Sequence, residues 1–266
     1  MKRLLMSGIV VVLVVALAGC GAGGDGRIFT GPGLVGIDDT GVSTAPILRV
    51  TYTVPPSTTV ITANILSDLA SDGDIAFDPF FNDFTVTSGL SEVLFGEDSF
   101  DIDLRKYRAF LTFPLDGFTS QDVVPSDALI VSATLEVFVN SVSFASVVPS
   151  FLDLVQYPFR GLSSAYYDTA PISFRTLDFF SSDEGNYVLI DVTTLMEDAQ
   201  LVPGLTDFQV RFIVNSAETL SPSRAPATNS GRTARSQPRL LDNLSPNRGP
   251  SASQPASPPD QASRKR

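Results

Sequence analysis

The sequence predicts an all-β protein, a sandwich or jelly roll of short antiparallel strands with one short helix. Three observations carry that expectation. Two long runs alternate at period two: Tyr107, Ala109, Leu111 and Phe113 against Arg108, Phe110 and Thr112, then Leu135, Val137 and Val139 against Thr134, Glu136 and Phe138. The first reads as a strand of a sandwich, and the β-branched and aromatic content of the second suits a half-buried pleated surface. The other alternating runs are short and bounded by Gly, Asp, Asn, Pro or Ser, the punctuation of many closely spaced strands. Finally, composition changes abruptly at residue 219, which sets the end of the foldable part.

A chain of 266 residues fits one good-sized domain with appendages. Residues 1–218 hold 10 basic and 27 acidic side chains, whereas residues 219–266 hold 8 and 2, so the body is acidic and the tail basic. An acidic body argues against nucleic acid and anionic membrane surfaces as partners, because both are contacted mainly through Lys and Arg. The chain has no His, which removes the commonest general base, Ser-His and Cys-His nucleophile systems, and His-ligated metals. Its single Cys excludes an intramolecular disulfide.

Taken in order, a basic start at Lys2-Arg3 and an apolar run over 4–17 precede Leu17-Ala18-Gly19-Cys20, the layout of a secretory signal peptide over residues 1–19. The apolar run is shorter than the ~20 residues a membrane-spanning helix needs. LAGC resembles the bacterial lipobox, which implies cleavage before Cys20 and a diacylglycerol on its sulfur. Gly21 at the following position favours outer-membrane or cell-surface localisation by analogy with enteric bacteria. The Gly-rich stretch after Cys20 reads as the start of a flexible tether, residues 20–44.

The domain is expected over 45–218. Leu48, Val50, Tyr52 and Val54 alternate with Ile47, Arg49, Thr51 and Thr53, and Pro55-Pro56 ends that strand because proline cannot donate to a ladder. Shorter strands are read at 59–66, 74–77, 84–87, 92–95, 151–157, 172–177 and 187–192, and a final one at 207–214 with Phe208, Val210, Phe212 and Val214 on one face. Thr193 or Thr194 is expected to cap a short helix over 195–201, which Pro203-Gly204 stops. Residues 219–266 contain no aromatic side chain and are dominated by Ser, Pro, Arg, Ala and Asn. They cannot bury enough apolar surface to offset ordering entropy and are expected to be a disordered tail. A solvated tail, a basic arm on an anionic polymer and an altered reading frame all fit that composition.

The strand residues also resemble a family. Residues 107–115, YRAFLTFPL, resemble the R-x-x-L-x-F-D-L segment of DNRLRE-type modules of bacterial surface proteins. Val124-Pro125 with 130–139, IVSATLEVFV, resembles their IP…I-x-S-A-T-L segment, Ile190-Asp191-Val192-Thr193-Thr194-Leu195 their F-D-V-T-x-L, and Leu94-Phe95-Gly96 their L-x-V-G. The similarity runs from about residue 72 to 214. It implies a jelly-roll β-sandwich of two antiparallel sheets, in a family some of whose members bind carbohydrate. The chain departs from the pattern at Pro114, where an Asp is usual, and in lacking a closing strand after Val214. Residues 45–52 resemble that strand, so 47–54 is expected to occupy its slot.

Candidate chemistry is sparse. Asp72 and Asp74, Asp98 with Asp101 and Asp103, and Asp183-Glu184 are oxygen-rich enough for Ca2+ but match no EF-hand loop, so solvated loop charge and no metal are expected. No G-x-S-x-G elbow occurs, and paired carboxylates for glycoside hydrolysis cannot be singled out in an acidic chain. No catalytic residue and no cofactor are therefore expected. Tyr157, Tyr166 and Tyr167, with Arg160 nearby, could form a stacking platform for sugar rings or could plug one end of the fold. Together these features point to a lipid-anchored exported binding or scaffolding protein of the bacterial envelope, with polysaccharide or an envelope protein as partner. A structural or adhesion subunit is the alternative and a glycan-active enzyme the third possibility.

Overall fold

The computed structural model describes residues 30–40, 44–99, 104–120, 122–204 and 206–216. Within them the chain forms twelve strands: β1 (Leu34–Asp38), β2 (Ile47–Thr53), β3 (Ile61–Leu66), β4 (Gly73–Asp78), β5 (Asp83–Ser88), β6 (Glu92–Glu97), β7 (Lys106–Pro114), β8 (Leu129–Ser143), β9 (Val147–Val155), β10 (Ser173–Phe180), β11 (Asn186–Asp191) and β12 (Asp207–Val214). One α-helix, α1 (Thr193–Gln200), lies between the last two strands. The protein is all-β, and the named strands form one curled sheet with path β10-β9-β12-β7-β6-β1-β8-β2-β3. β11 joins at β8, and the β4-β5 hairpin joins at β7.

The two long strands anticipated from the sequence do not pair with each other. β7 is bonded to β12, β4 and β6, and β8 to β2, β1 and β11. Each is the spine of its own arm of the sheet, and the arms contribute their apolar faces to one buried cluster: Ala109, Leu111 and Phe113 from β7, and Ala133, Leu135, Val137 and Val139 from β8. Length explains β8's role. Its 15 residues let β2 pair along Leu129–Glu136 and β1 take over along Phe138–Ser143. Phe95, Phe179 and Phe212 meet inside this core with ring centroids 5.2, 5.3 and 6.0 Å apart.

β6 joins the arms. Gly96 pairs with Leu34 of β1 and with Tyr107 of β7, at φ +120. A Cβ there would stand 1.8 Å from the Gly33 carbonyl oxygen, so only glycine lets the two backbones approach this closely.

Three expectations are corrected. Residues 34–38, assigned to the tether over 20–44, form β1, with Val35, Gly36 and Ile37 buried between β6 and β8. Five residues around a glycine offer too short a pattern to reveal a strand. Neither Thr193 nor Thr194 caps α1: the N-cap position is Val192, and the Asp191 carboxylate accepts from the Thr193 amide (3.0 Å) and hydroxyl (2.6 Å). The Thr193 hydroxyl oxygen meanwhile accepts from the Ala133 amide of β8 at 3.0 Å, tying the helix to the sheet. Finally, β7 is buried on both faces, with Phe110 and Thr112 as inaccessible as Leu111. The stretch expected at 47–54 is a strand within the sheet, between β8 and β3.

Candidate functional site

The tyrosines nominated as a sugar platform belong to the covering of β7. After β9 the chain folds back across the outer face of β4, β7 and β9, where Tyr157 and Tyr167 pack with Ile75, Phe110 and Val155. Tyr157 and Tyr167 are 5% and 6% exposed. Tyr157 stacks edge-on against Phe110 at 5.7 Å, and its hydroxyl bonds the Thr112 hydroxyl at 2.7 Å. Burial drives its phenol far above the ordinary tyrosine range. Tyr167 lies under the Arg108 guanidinium, 3.7 Å from the ring centroid, and burial raises its phenol too. Tyr166, half-buried, leans on Tyr157 at 5.7 Å. Tyr157 and Tyr167, enclosed in this way, offer no open face to a saccharide and fit the end-plug alternative, whereas Tyr166 keeps part of its surface exposed.

Arginines clamp the same segment. Arg211 of β12 is buried against Asp153 of β9 at 2.8 Å, and its guanidinium also donates to the carbonyls of Tyr166 (2.9 Å), Tyr167 (2.7 Å) and Thr169 (2.8 Å). Arg108 donates to the Tyr167 carbonyl and pairs with Asp168 at 2.9 Å. Arg160 stands apart, half-exposed with φ +55, bonded to both oxygens of Asp68 and 5.0 and 5.3 Å from the rings of Phe118 and Phe159.

The acidic clusters also differ from expectation. Asp72 and Asp74 are 0% and 4% exposed and are therefore not solvated loop charge. The Asp74 carboxylate accepts from the Leu94 amide at 3.2 Å, and burial pushes its acid up to about 6. Asp183 accepts from the Phe180 amide in the β10-β11 turn. Asp101, Asp103, Cys20, the signal segment 1–19 and the tail 219–266 lie outside the described residues. Among the described residues no group of three or more acidic side chains is placed to hold a metal, and no helix is long and apolar enough to cross a membrane.

Convergent polar side chains meet open space at the junction of β10, β11 and α1. A cleft of about 530 Å³ is lined by Phe174, Arg175 and Thr176 of β10, by Asp191 at the end of β11, and by Thr194 and Asp198 of α1. Arg175 supplies only donors, the two carboxylates only acceptors, and the threonines both. The Arg175 Nε is buried and has no hydrogen-bond partner among the described residues. Arg175 also helps hold Asp191 below the ordinary carboxylate range, chiefly secured by the Thr193 hydroxyl and amide. Phe174 contributes apolar surface, 37% exposed. Its volume falls within the range of small-molecule sites, and its lining is more polar than most of them.

None of these cleft residues was singled out from the sequence as a binding residue. Asp191 and Thr194 lie in the F-D-V-T-x-L-like segment, which marks the strand-to-helix junction, whereas Arg175 sits in an ordinary alternating strand. Only the docking of α1 beside β10 brings them together. Comparisons with protein-family models, with curated proteins and with solved structures find no match to this chain.

Proposed function

We propose that this chain is a lipid-anchored, exported binding protein of the bacterial cell envelope, built as a jelly-roll β-sandwich, whose β10-β11-α1 cleft holds a neutral polyhydroxylated ligand, a saccharide. The cleft is the observation that carries the proposal. Neighbouring hydroxyls of a sugar each donate and accept, which suits alternating Arg175, Asp191, Thr194 and Asp198, while Phe174 meets the apolar C–H face. An anionic ligand would face two carboxylates in a strongly acidic body, and Coulomb repulsion disfavours it. The signal-like segment and Cys20 support the anchor. Nine residues lie between Cys20 and Thr30, which bridges to β9 at Val147, so a fully extended chain would hold the domain within about 35 Å of the lipid. The role is retention at a surface, with no catalytic step assigned.

A glycan array probed with the intact protein in detergent tests the ligand, followed by titration calorimetry of Arg175→Ala and Asp198→Ala. Loss of at least tenfold in affinity in both variants, about 1.4 kcal/mol, is expected. Saccharide binding that survives both substitutions unchanged places the ligand elsewhere. Metabolic labelling with an alkyne fatty acid that persists in Cys20→Ser would end the anchor proposal. The scaffold alternative draws on β11, which pairs only with β8 among the described strands and exposes Leu189 (66%) beside its open edge. Co-purification with an envelope protein that is lost in a Leu189→Lys variant would favour it.

A further inference from the structure

Two aspartates sit in the interior, each with an oxygen left unpaired among the described residues. Asp39 immediately follows β1 and is 1% exposed. Its amide donates to the Ser91 carbonyl at 2.8 Å, and its Oδ1 accepts from the Ser67 hydroxyl at 3.2 Å. Asp72 immediately precedes β4 and is 0% exposed. Its Oδ1 accepts from the Thr112 amide of β7 at 2.6 Å, its amide donates to the Asp68 carbonyl, and its own carbonyl accepts from Gly89. Asp39 Oδ2 and Asp72 Oδ2 are buried and have no partner among the described residues. The two side chains meet, and Ser67 reaches both.

Two carboxylates can only accept, so as ions they leave both outer oxygens orphaned and place two like charges side by side in low dielectric. A single proton between them turns one oxygen into a donor and satisfies both. We propose that Asp39 and Asp72 share one proton, and that its loss unlatches the end of β1 from the 67–72 segment and β7.

The surroundings favour the protonated pair. Asp38, beside Asp39 on β1, and Asp68, from the 67–72 segment, are acidic and oppose ionisation of the pair. Arg160 is engaged by Asp68 on the outer side. Tyr157 faces Asp72 from the segment after β9 as a neutral phenol bonded to Thr112. Asp74, next along β4, bonds Leu94 and interacts with Thr87 and Glu92. Burial, before any of these charges, pushes the Asp39 carboxyl up to about 7 and Asp72 well above the ordinary carboxylate range.

The direction of the linkage follows. A carboxyl raised in the folded state binds its proton more tightly there than in the unfolded chain, where an Asp titrates near 3.9. The stability due to the shared proton is present in full below that value and is lost as pH rises through about 7.

The test uses the full chain and compares thermal unfolding of wild type and Asp72→Asn between about pH 5 and 9, with Ca2+ or with EDTA. The asparagine keeps Oδ1 for the Thr112 amide and sets a permanent donor where the proton sat. Wild type is expected to lose stability from pH 5 to about 7, its unfolding constant rising by up to about tenfold per pH unit below neutrality and levelling off above it. Asp72→Asn is expected to have a shallower slope and the higher melting temperature at pH 9. Asp74 titrates in both proteins and cancels in the comparison. Hydrogen exchange at the β1 amides, corrected for intrinsic rate, is expected to quicken above neutral pH in wild type alone. Equal slopes in the two proteins overturn the shared proton. Stabilisation by Ca2+ at pH 9 in wild type but not in Asp72→Asn overturns it too, because the pair then holds a cation. Asp39→Asn, which places the donor on the other partner, serves if Asp72→Asn does not fold, and equal slopes between it and wild type likewise overturn the shared proton.

Discussion

Replacing Arg211 by Met tests whether the segment after β9 is a clamped covering or an open surface. The Arg211 side chain is 3% exposed and that of Asp153 0%, so removing the guanidinium takes the paired cation from a buried carboxylate. It also removes one donor from each of three backbone carbonyls, of Tyr166, Tyr167 and Thr169, of which Tyr167 keeps Arg108 and Tyr166 keeps the Thr169 amide. Breaking one side of a buried pair costs about 3–5 kcal/mol, most of it the uncompensated charge. Replacing both partners in Arg211→Met/Asp153→Leu removes that charge and leaves mainly the carbonyls short of donors, about 1–3 kcal/mol in all. The double variant is thus expected to be more stable than Arg211→Met, with a coupling energy of about 2 kcal/mol in the mutant cycle. Chemical denaturation of the four proteins in urea gives the free energies, and limited proteolysis within 156–172 reports whether the covering has lifted. Arg211→Met costing under about 1 kcal/mol, with no coupling to Asp153, would refute the clamp.

Two further substitutions probe the frame. Gly96→Ala is expected to cost at least about 2 kcal/mol, since alanine at φ +120 is strained and its Cβ would collide with the Gly33 carbonyl; a melting temperature within a degree of wild type would contradict this. Tyr157→Phe removes the hydroxyl that meets Thr112 in the interior and should cost about 1–2 kcal/mol in denaturation, with saccharide affinity unchanged; a binding loss in a fully folded variant would return the tyrosines to the site.

Much of the strand inventory was legible because one face of a sheet leaves a period-two trace. Leu48, Val50 and Tyr52 are buried as the alternation of β2 requires, and Phe208, Val210, Phe212 and Val214 as that of β12 requires. Alternation records only that a face is covered, and it cannot say by what. Phe110 and Thr112 looked like the open side of a half-buried strand, yet the 156–172 segment lies over them. The same fold-back removed Tyr157 and Tyr167 from the surface. β1 escaped notice because its five residues include a buried glycine, and Asp39 beyond it gave no sign that it would meet Asp72, 33 positions away.

By itself the sequence determined the all-β class, the short helix before the last strand, the acidic body and the exclusion of histidine chemistry. These follow from local periodicity, turn residues and composition, each readable within a window of a few residues. Tertiary structure alone decided which strands became neighbours, that β7 and β8 stand on separate arms joined through Gly96, that two aspartates share the interior, and that Arg175, Asp191 and Asp198 line one cleft. Those are contacts between residues far apart in the chain. Their formation depends on how whole faces pack against one another, and no local pattern encodes which faces will meet.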